Sequence, residues 1–268
     1  MKNFLSFLFI AALFSNATAQ NLPGVQQLSV KAPASLKIDG HTDEWAPFKA
    51  DNNDIASLYT IANDDINLYL AIKMNSLRIL EKILTVGITF TVNKDRVKDY
   101  KAVGNKAITF PLLDVTKRYF ILRAAGAGTL SIPVNIAGPI IISPIKPADS
   151  ANLLANKLLK EGATTIKVDG FTGLPDTISI RNAHNITAGL NLDKNGFYTY
   201  ELQVPLKLLG LDNTGPKPFS YSIKLRSILE LRKGNEGKVY HYRMEGNRNP
   251  NFDLNGTADF WGEYILAK

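Results

Sequence analysis

From Phe219 onward the chain alternates between apolar and polar residues. Phe219, Tyr221, Ile223, Leu225, Leu229 and Leu231 fall on one side of an extended backbone, while Ser220, Ser222, Lys224, Arg226, Glu230 and Arg232 fall on the other. Only Ser227 and Ile228 break the order. Successive side chains of a strand point to opposite faces, so the pattern predicts an antiparallel sheet with one face covered and one in water. Gly234-Asn235-Glu236-Gly237 then predicts a turn into a second strand, Lys238 to Met244.

The same period recurs upstream. Ser57 to Ile61 and Leu68 to Met74 read as a hairpin joined by the polar run Asn63-Asp64-Asp65-Ile66-Asn67. Val86 to Val92, Thr164 to Val168 and Thr177 to Arg181 read as further strands bounded by Gly, Pro, Asn or Asp. Helical spacing is scarce. Ser150 to Glu161 places Leu153, Leu154, Leu158 and Leu159 on one stripe and ends at Gly162, and Leu206 to Gly210 is a turn or two after Pro205. The expected fold class is all-β, an antiparallel β-sandwich with one or two short helices.

Two stretches bear on location. Lys2 precedes the apolar run Phe4 to Phe14, and Ala17-Thr18-Ala19 supplies small residues for cleavage. The run is too short for a bilayer core, which needs about 20 apolar residues, so residues 1–19 are expected to be a signal peptide and residues 20–268 one exported, periplasmic or extracellular domain. The most apolar later stretch, Ile132 to Ile145, holds Pro133, Pro139 and Pro144, so no transmembrane segment is expected in the mature chain. With no cysteine, disulfides, thiolate nucleophiles and cysteine-bound zinc are excluded. The 31 basic and 24 acidic residues are interspersed, a mild bias toward anionic surfaces without the basic stripe of a nucleic-acid binder, so no nucleic-acid partner is expected.

Leu36 to Trp45 reads LKIDGHTDEW, and this resembles the opening signature of the family 9 carbohydrate-binding modules, where Ile-Asp-Gly precedes Asp-Glu-Trp. Three further stretches fit in order: Asp64 to Lys73 resembles the acidic turn and Asn-Leu-Tyr strand, Phe197 to Leu211 the Tyr-x-x-Glu strand ending in Pro and a short leucine helix, and Ala258 to Leu266 the closing strand. The resemblance implies a β-sandwich that binds sugar without breaking it. It also implies that Trp45 and Trp261 are framework, with Ile38, Trp45 and Leu58 opening the core and Phe260 with Trp261 closing it. The family's sugar-binding members clamp a sugar between tryptophans, and this chain has two tryptophans, both in framework motifs. Recognition then falls to tyrosine or phenylalanine.

Within the alternating hairpin, Lys224, Arg226 and Arg232 share one strand face and Tyr240 and Tyr242 share a face of the next. Where those faces coincide, cations and rings lie side by side, a combination suited to an acidic or phosphorylated glycan, because guanidinium forks onto carboxylate and rings stack on sugars. These five residues are the candidate ligand site, and the expected partner is a carbohydrate or anionic glycan, with a protein partner as the alternative. Asp51-Asn52-Asn53-Asp54 and the Asn63 to Asn67 loop offer oxygens but not the spacing of a calcium motif, and turn chemistry accounts for both. His41, His184 and His241 share no metal-ligand spacing, Gly126-Ala127-Gly128 lacks the third glycine of a nucleotide loop, and no nucleophile elbow is present. No catalytic residue, metal or cofactor is therefore assigned. The competing readings are a structural or protein-interaction sandwich that has lost sugar binding and a glycoside hydrolase with a dispersed carboxylate pair. An indole in the interior buries on the order of 200 Å², so Trp45→Ala is expected to lower stability by roughly 3–5 kcal/mol, which a thermal melt checks.

Overall fold

The computed structural model describes residues 22–74, 76–126, 148–193, 197–212, 214–215, 217–227 and 256–268. In chain order the strands are β1 (Ala50–Asn52), β2 (Ser57–Asn63), β3 (Asn67–Met74), β4 (Ile88–Asn93), β5 (Lys106–Phe110), β6 (Thr165–Asp169), β7 (Thr177–Ser179), β8 (Thr187–Leu192), β9 (Tyr198–Pro205), β10 (Phe219–Leu225) and β11 (Ala258–Tyr264). The helices are α1 (Leu77–Val86), α2 (Val115–Ala124), α3 (Ala148–Gly162) and α4 (Leu206–Leu209). The strands form two antiparallel sheets, a five-stranded sheet A ordered β1-β2-β3-β9-β8 and a six-stranded sheet B ordered β11-β10-β4-β5-β6-β7. The chain is an all-β sandwich with a few short helices, and among the described residues no helix is long and apolar enough to cross a membrane.

Among the described residues, β2, β3, β4, β6, β7 and β10 form within the expected stretches to a residue or two at their ends, β10 stopping at Leu225. β2 and β3 are the predicted hairpin, held by Asp64, whose Oδ1 accepts from the N–H of Ile66 at 2.7 Å and of Asn67 at 2.6 Å. The carboxylate of this acid-rich loop is occupied by its own turn and by the Tyr69 hydroxyl at 2.6 Å. In the other acidic loop, Asn52 Oδ1 accepts from the Ile55 N–H. Among the described residues no group of three His, Cys, Asp or Glu is placed to hold a metal.

The sheets are joined by tyrosine and phenylalanine, not by tryptophan. Tyr59 of β2 meets Tyr221 of β10 through their hydroxyls at 2.9 Å, and the Tyr59 hydroxyl also accepts from the Gln26 N–H. Phe260 packs 5.3 Å from Tyr59, and Phe110 lies 6.4 Å from Tyr200 between the same layers. Gly262 sits opposite Tyr221 in the β10–β11 register, and a Cβ there would stand 2.5 Å from its hydroxyl. Only a residue without a side chain lets that ring fill the space.

Both tryptophans lie elsewhere than the sequence implied. Trp45 is buried, but on the outer face of sheet A, in a second cluster with Phe48, Ala62, Tyr69 and Ala71 against which Ile38 and Leu58 pack. The segment preceding β1 folds over that face and gives it a core of its own. Trp261 is half-buried on the outer face of sheet B, because its neighbour Phe260 takes the inward position of β11. The predicted wet face of β10 is also corrected: Ser220 and Ser222 are fully buried, since residues 94–105 cover them and Ser220 donates to Val97 O at 2.9 Å.

Two helices were not legible from alternation. In α1, Ile79, Leu80, Ile83 and Leu84 are buried at helical spacing, with Ser76 before the helix and Gly87 after it, so Val86 ends a helix and does not open β4. α2 has no apolar stripe to read, and burial selects only Ile121 and Leu122. α3 forms where expected, yet Ala155 and Leu159 are its buried positions while Leu153 and Leu154 stand exposed. Arg232, Tyr240, Tyr242, the Gly234 turn, the strand from Lys238 to Met244, the proline-rich run from Ile132 to Ile145 and residues 1–19 lie outside the described residues. Gly262→Ala is expected to destabilise by about 1–3 kcal/mol through overpacking against Tyr221, whereas Trp261→Ala should change stability by less than about 1.5 kcal/mol, as a partly exposed side chain. Chemical denaturation of both variants checks the pair.

Candidate functional site

The β10–β11 pairing places Ser222 opposite Trp261 and Lys224 opposite Asp259, so these four side chains share the outer face of sheet B. Tyr100, from the segment covering that face, completes the group. Its ring lies 5.0 Å from Trp261 at 41°, and the Lys224 ammonium sits 4.1 Å above its centroid. The Tyr100 hydroxyl shares a hydrogen bond with Ser222 Oγ at 2.8 Å and donates to Asp259 Oδ2. Burial and the Asp259 carboxylate raise the Tyr100 pKa, so the phenol keeps its proton and stays a donor.

Cations border this aromatic pair. Arg226 follows just past the end of β10, half-buried, and its buried Nε has no hydrogen-bond partner among the described residues. Arg96 and Lys98 both pair with Glu263, at 2.6 and 3.0 Å. Of the five residues expected to bind ligand, Lys224 lies on a face bearing aromatic rings, Arg226 lies just past the end of its strand, and the other three are outside the described residues. The rings beside Lys224 are Tyr100 and Trp261. No pattern in the sequence points to Tyr100, which reaches the face from a loop, and the family resemblance implies a framework role for Trp261 that its outward position does not match.

A second feature lies at the far edges of both sheets. Between β8, β7 and α3 opens a cleft of about 810 Å³. Phe110, Leu159, Ala163 and Ala188 are its buried apolar lining, and Asp39, His41, Lys160, Glu161 and Arg181 stand at its rim. Its wall at Asp39 and His41 is set by Glu201 on the outer face of β9. The Glu201 carboxylate accepts from the N–H of Asp39 at 3.0 Å, the N–H of Gly40 at 2.7 Å and Trp45 Nε1 at 2.7 Å. Gly40 adopts φ of +88° and presses on the β8 backbone, where a Cβ would lie 2.5 Å from the Leu190 carbonyl carbon. Two of the motifs read in the sequence, Ile-Asp-Gly…Trp and Tyr-x-x-Glu, therefore meet in one hydrogen-bonded knot.

No family model, curated protein or solved structure matches this chain. The class that the structure defines is an all-β sandwich with both outer faces partly covered by its own loops.

Burial pushes the Glu201 carboxyl up to about 7 from its ordinary 4.5, against the opposing pull of the donors on Trp45, Gly40 and Asp39. The native state then holds a proton that the unfolded chain has released between those two values. The contribution of this group is expected to be fully present below about pH 4.5 and lost as pH rises through about 7. Melting temperatures across that range should fall with pH in the wild type, and the part due to this group should be absent in Glu201→Gln.

Proposed function

We propose that this protein is an exported, non-catalytic glycan-binding module whose ligand lies on the outer face of sheet B, across Trp261 and Tyr100. The observation that carries the reading is the position of Trp261, half-buried beside Tyr100 and the Lys224 ammonium. An aromatic face offers apolar area to the hydrogen-bearing side of a sugar ring at little conformational cost. Lys224 supplies a cation on this face, and the half-buried Arg226 follows just past the end of β10. Those groups favour a sugar acid or sulfated sugar over a neutral one, since a guanidinium forks onto a carboxylate or an equivalent anion. Export is supported by residues 1–19 with their charged start, apolar run and small-residue cleavage pattern.

A glycan array probed with residues 20–268, covering neutral and acidic polysaccharides, tests the reading. Binding to acidic glycans is expected, weakening as salt is raised because the cations are partly solvated. Trp261→Ala and Lys224→Ala should each weaken it by about tenfold or more, the equivalent of 1.4 kcal/mol, with little change in the melting curve. Silence of the folded protein on the whole array overturns the proposal.

A further inference from the structure

We infer that the cleft between β7, β8 and α3 takes an extended peptide as an added strand on the free edge of β8. β8 ends sheet A, and Asp193 N–H donating to Phe197 O sets the phase of its ladder with β9. Residues 191, 189 and 187 therefore bond β9, while Leu192, Leu190 and Ala188 turn their backbone groups to the other side. At Leu192 that side is already occupied by a stand-in for a strand. Asn156 of α3 donates its Nδ2–H to Leu192 O at 2.9 Å and accepts from Leu192 N–H at 2.7 Å through Oδ1. One residue pair further on, Ala188 and Leu190 line the cleft, and no described residue bonds their outward N–H or C=O.

The facing edge is partly capped. On β7 the Ser179 carbonyl accepts from Asn182 Nδ2 at 2.9 Å, and the Arg181 N–H donates to Ser179 Oγ at 3.1 Å. Natural sheets cover or blunt their edges, and here the caps stop at either side of the cleft and leave unpaired backbone within it. Rim charge is mixed in sign, with Lys160 and Arg181 beside Asp39 and Glu161, the last also paired with Lys157 at 3.9 Å. No aromatic face is offered to a sugar, since Phe110 is fully buried. What remains is a row of backbone donors and acceptors above an apolar floor of Leu159, Ala163 and Ile180. An uncharged peptide chain, paired through its main chain and seating one apolar side chain on the floor, uses all of it.

The test uses residues 20–268 and a positional-scanning library of acetylated hexapeptide amides, followed by synthesis of the best-binding sequence. That peptide is expected to bind. Methylating the amide nitrogens on the side that pairs with β8 should weaken it tenfold or more, and methylating those on the other side should not. Leu190→Pro removes the outward N–H without touching the β9 ladder, a place where an edge strand tolerates proline, and should weaken binding by a similar factor. The methylated peptides meet the unaltered protein, so a poorly folded variant does not spoil the result. Absence of any binding hexapeptide, or equal binding by both methylated forms, overturns the inference. Acidic-glycan binding, read on the same samples at the Trp261 face, is independent of the outcome.

Discussion

A single buried carboxylate ties the first part of the chain to the middle of sheet A. Glu201 is fully buried on the outer side of β9, and three N–H donors from the Asp39–Trp45 stretch converge on it. Those donors offset part of the cost of burying the carboxyl, and burial still holds its proton up to about pH 7. Through it, the segment before β1 is fixed as a lid on sheet A, Trp45 gains a cluster in which to bury, and the Asp39–Gly40 turn is held against β8 as a wall of the cleft. Removing the acceptor would orphan all three donors together, so the consequences would extend from the outer cluster to the cleft.

Covering loops explain the largest departures from simple alternation. A sandwich needs only one apolar face per sheet, with polar residues on the other. In this protein part of each outer face is buried too. The β10 serines satisfy their hydroxyls within the protein instead of in water: Ser220 reaches Val97 O, and Ser222 shares its hydrogen bond with Tyr100. The same covering loop carries Tyr100 to Trp261 and leaves the indole half-buried, between framework and ligand platform. Aromatic joining of the two layers passes to Tyr59, Tyr221 and Phe260.

The two candidate sites draw on opposite ends of the sandwich and on different chemistry. At the β11 edge of sheet B, the proposed recognition elements are side chains, the rings of Trp261 and Tyr100 and the Lys224 ammonium on a partly covered face. At the β8 edge of sheet A, the proposed recognition element is the main chain beyond the Asn156 cap. They are separated by the width of sheet B, since β11 and β7 are its two ends.

Alternation and turn residues by themselves determined the all-β class, the β2–β3 hairpin, β4, β6, β7 and the first half of the terminal strand, because period two and local turn chemistry act within a few residues. The α3 helix and the short turn after Pro205 were legible for the same local reason. α1 carried an apolar stripe that could have been read, while α2 had none. Placing Lys224 on the outer face of β10 followed from strand period alone. Tertiary structure alone decided that Trp45 is buried outside the sandwich, that Trp261 faces outward, that Tyr100 joins it, and that Glu201 receives three donors from about 160 residues away. Alternation says which residues share a face; which face is covered, and by what, depends on contacts between segments distant in the chain.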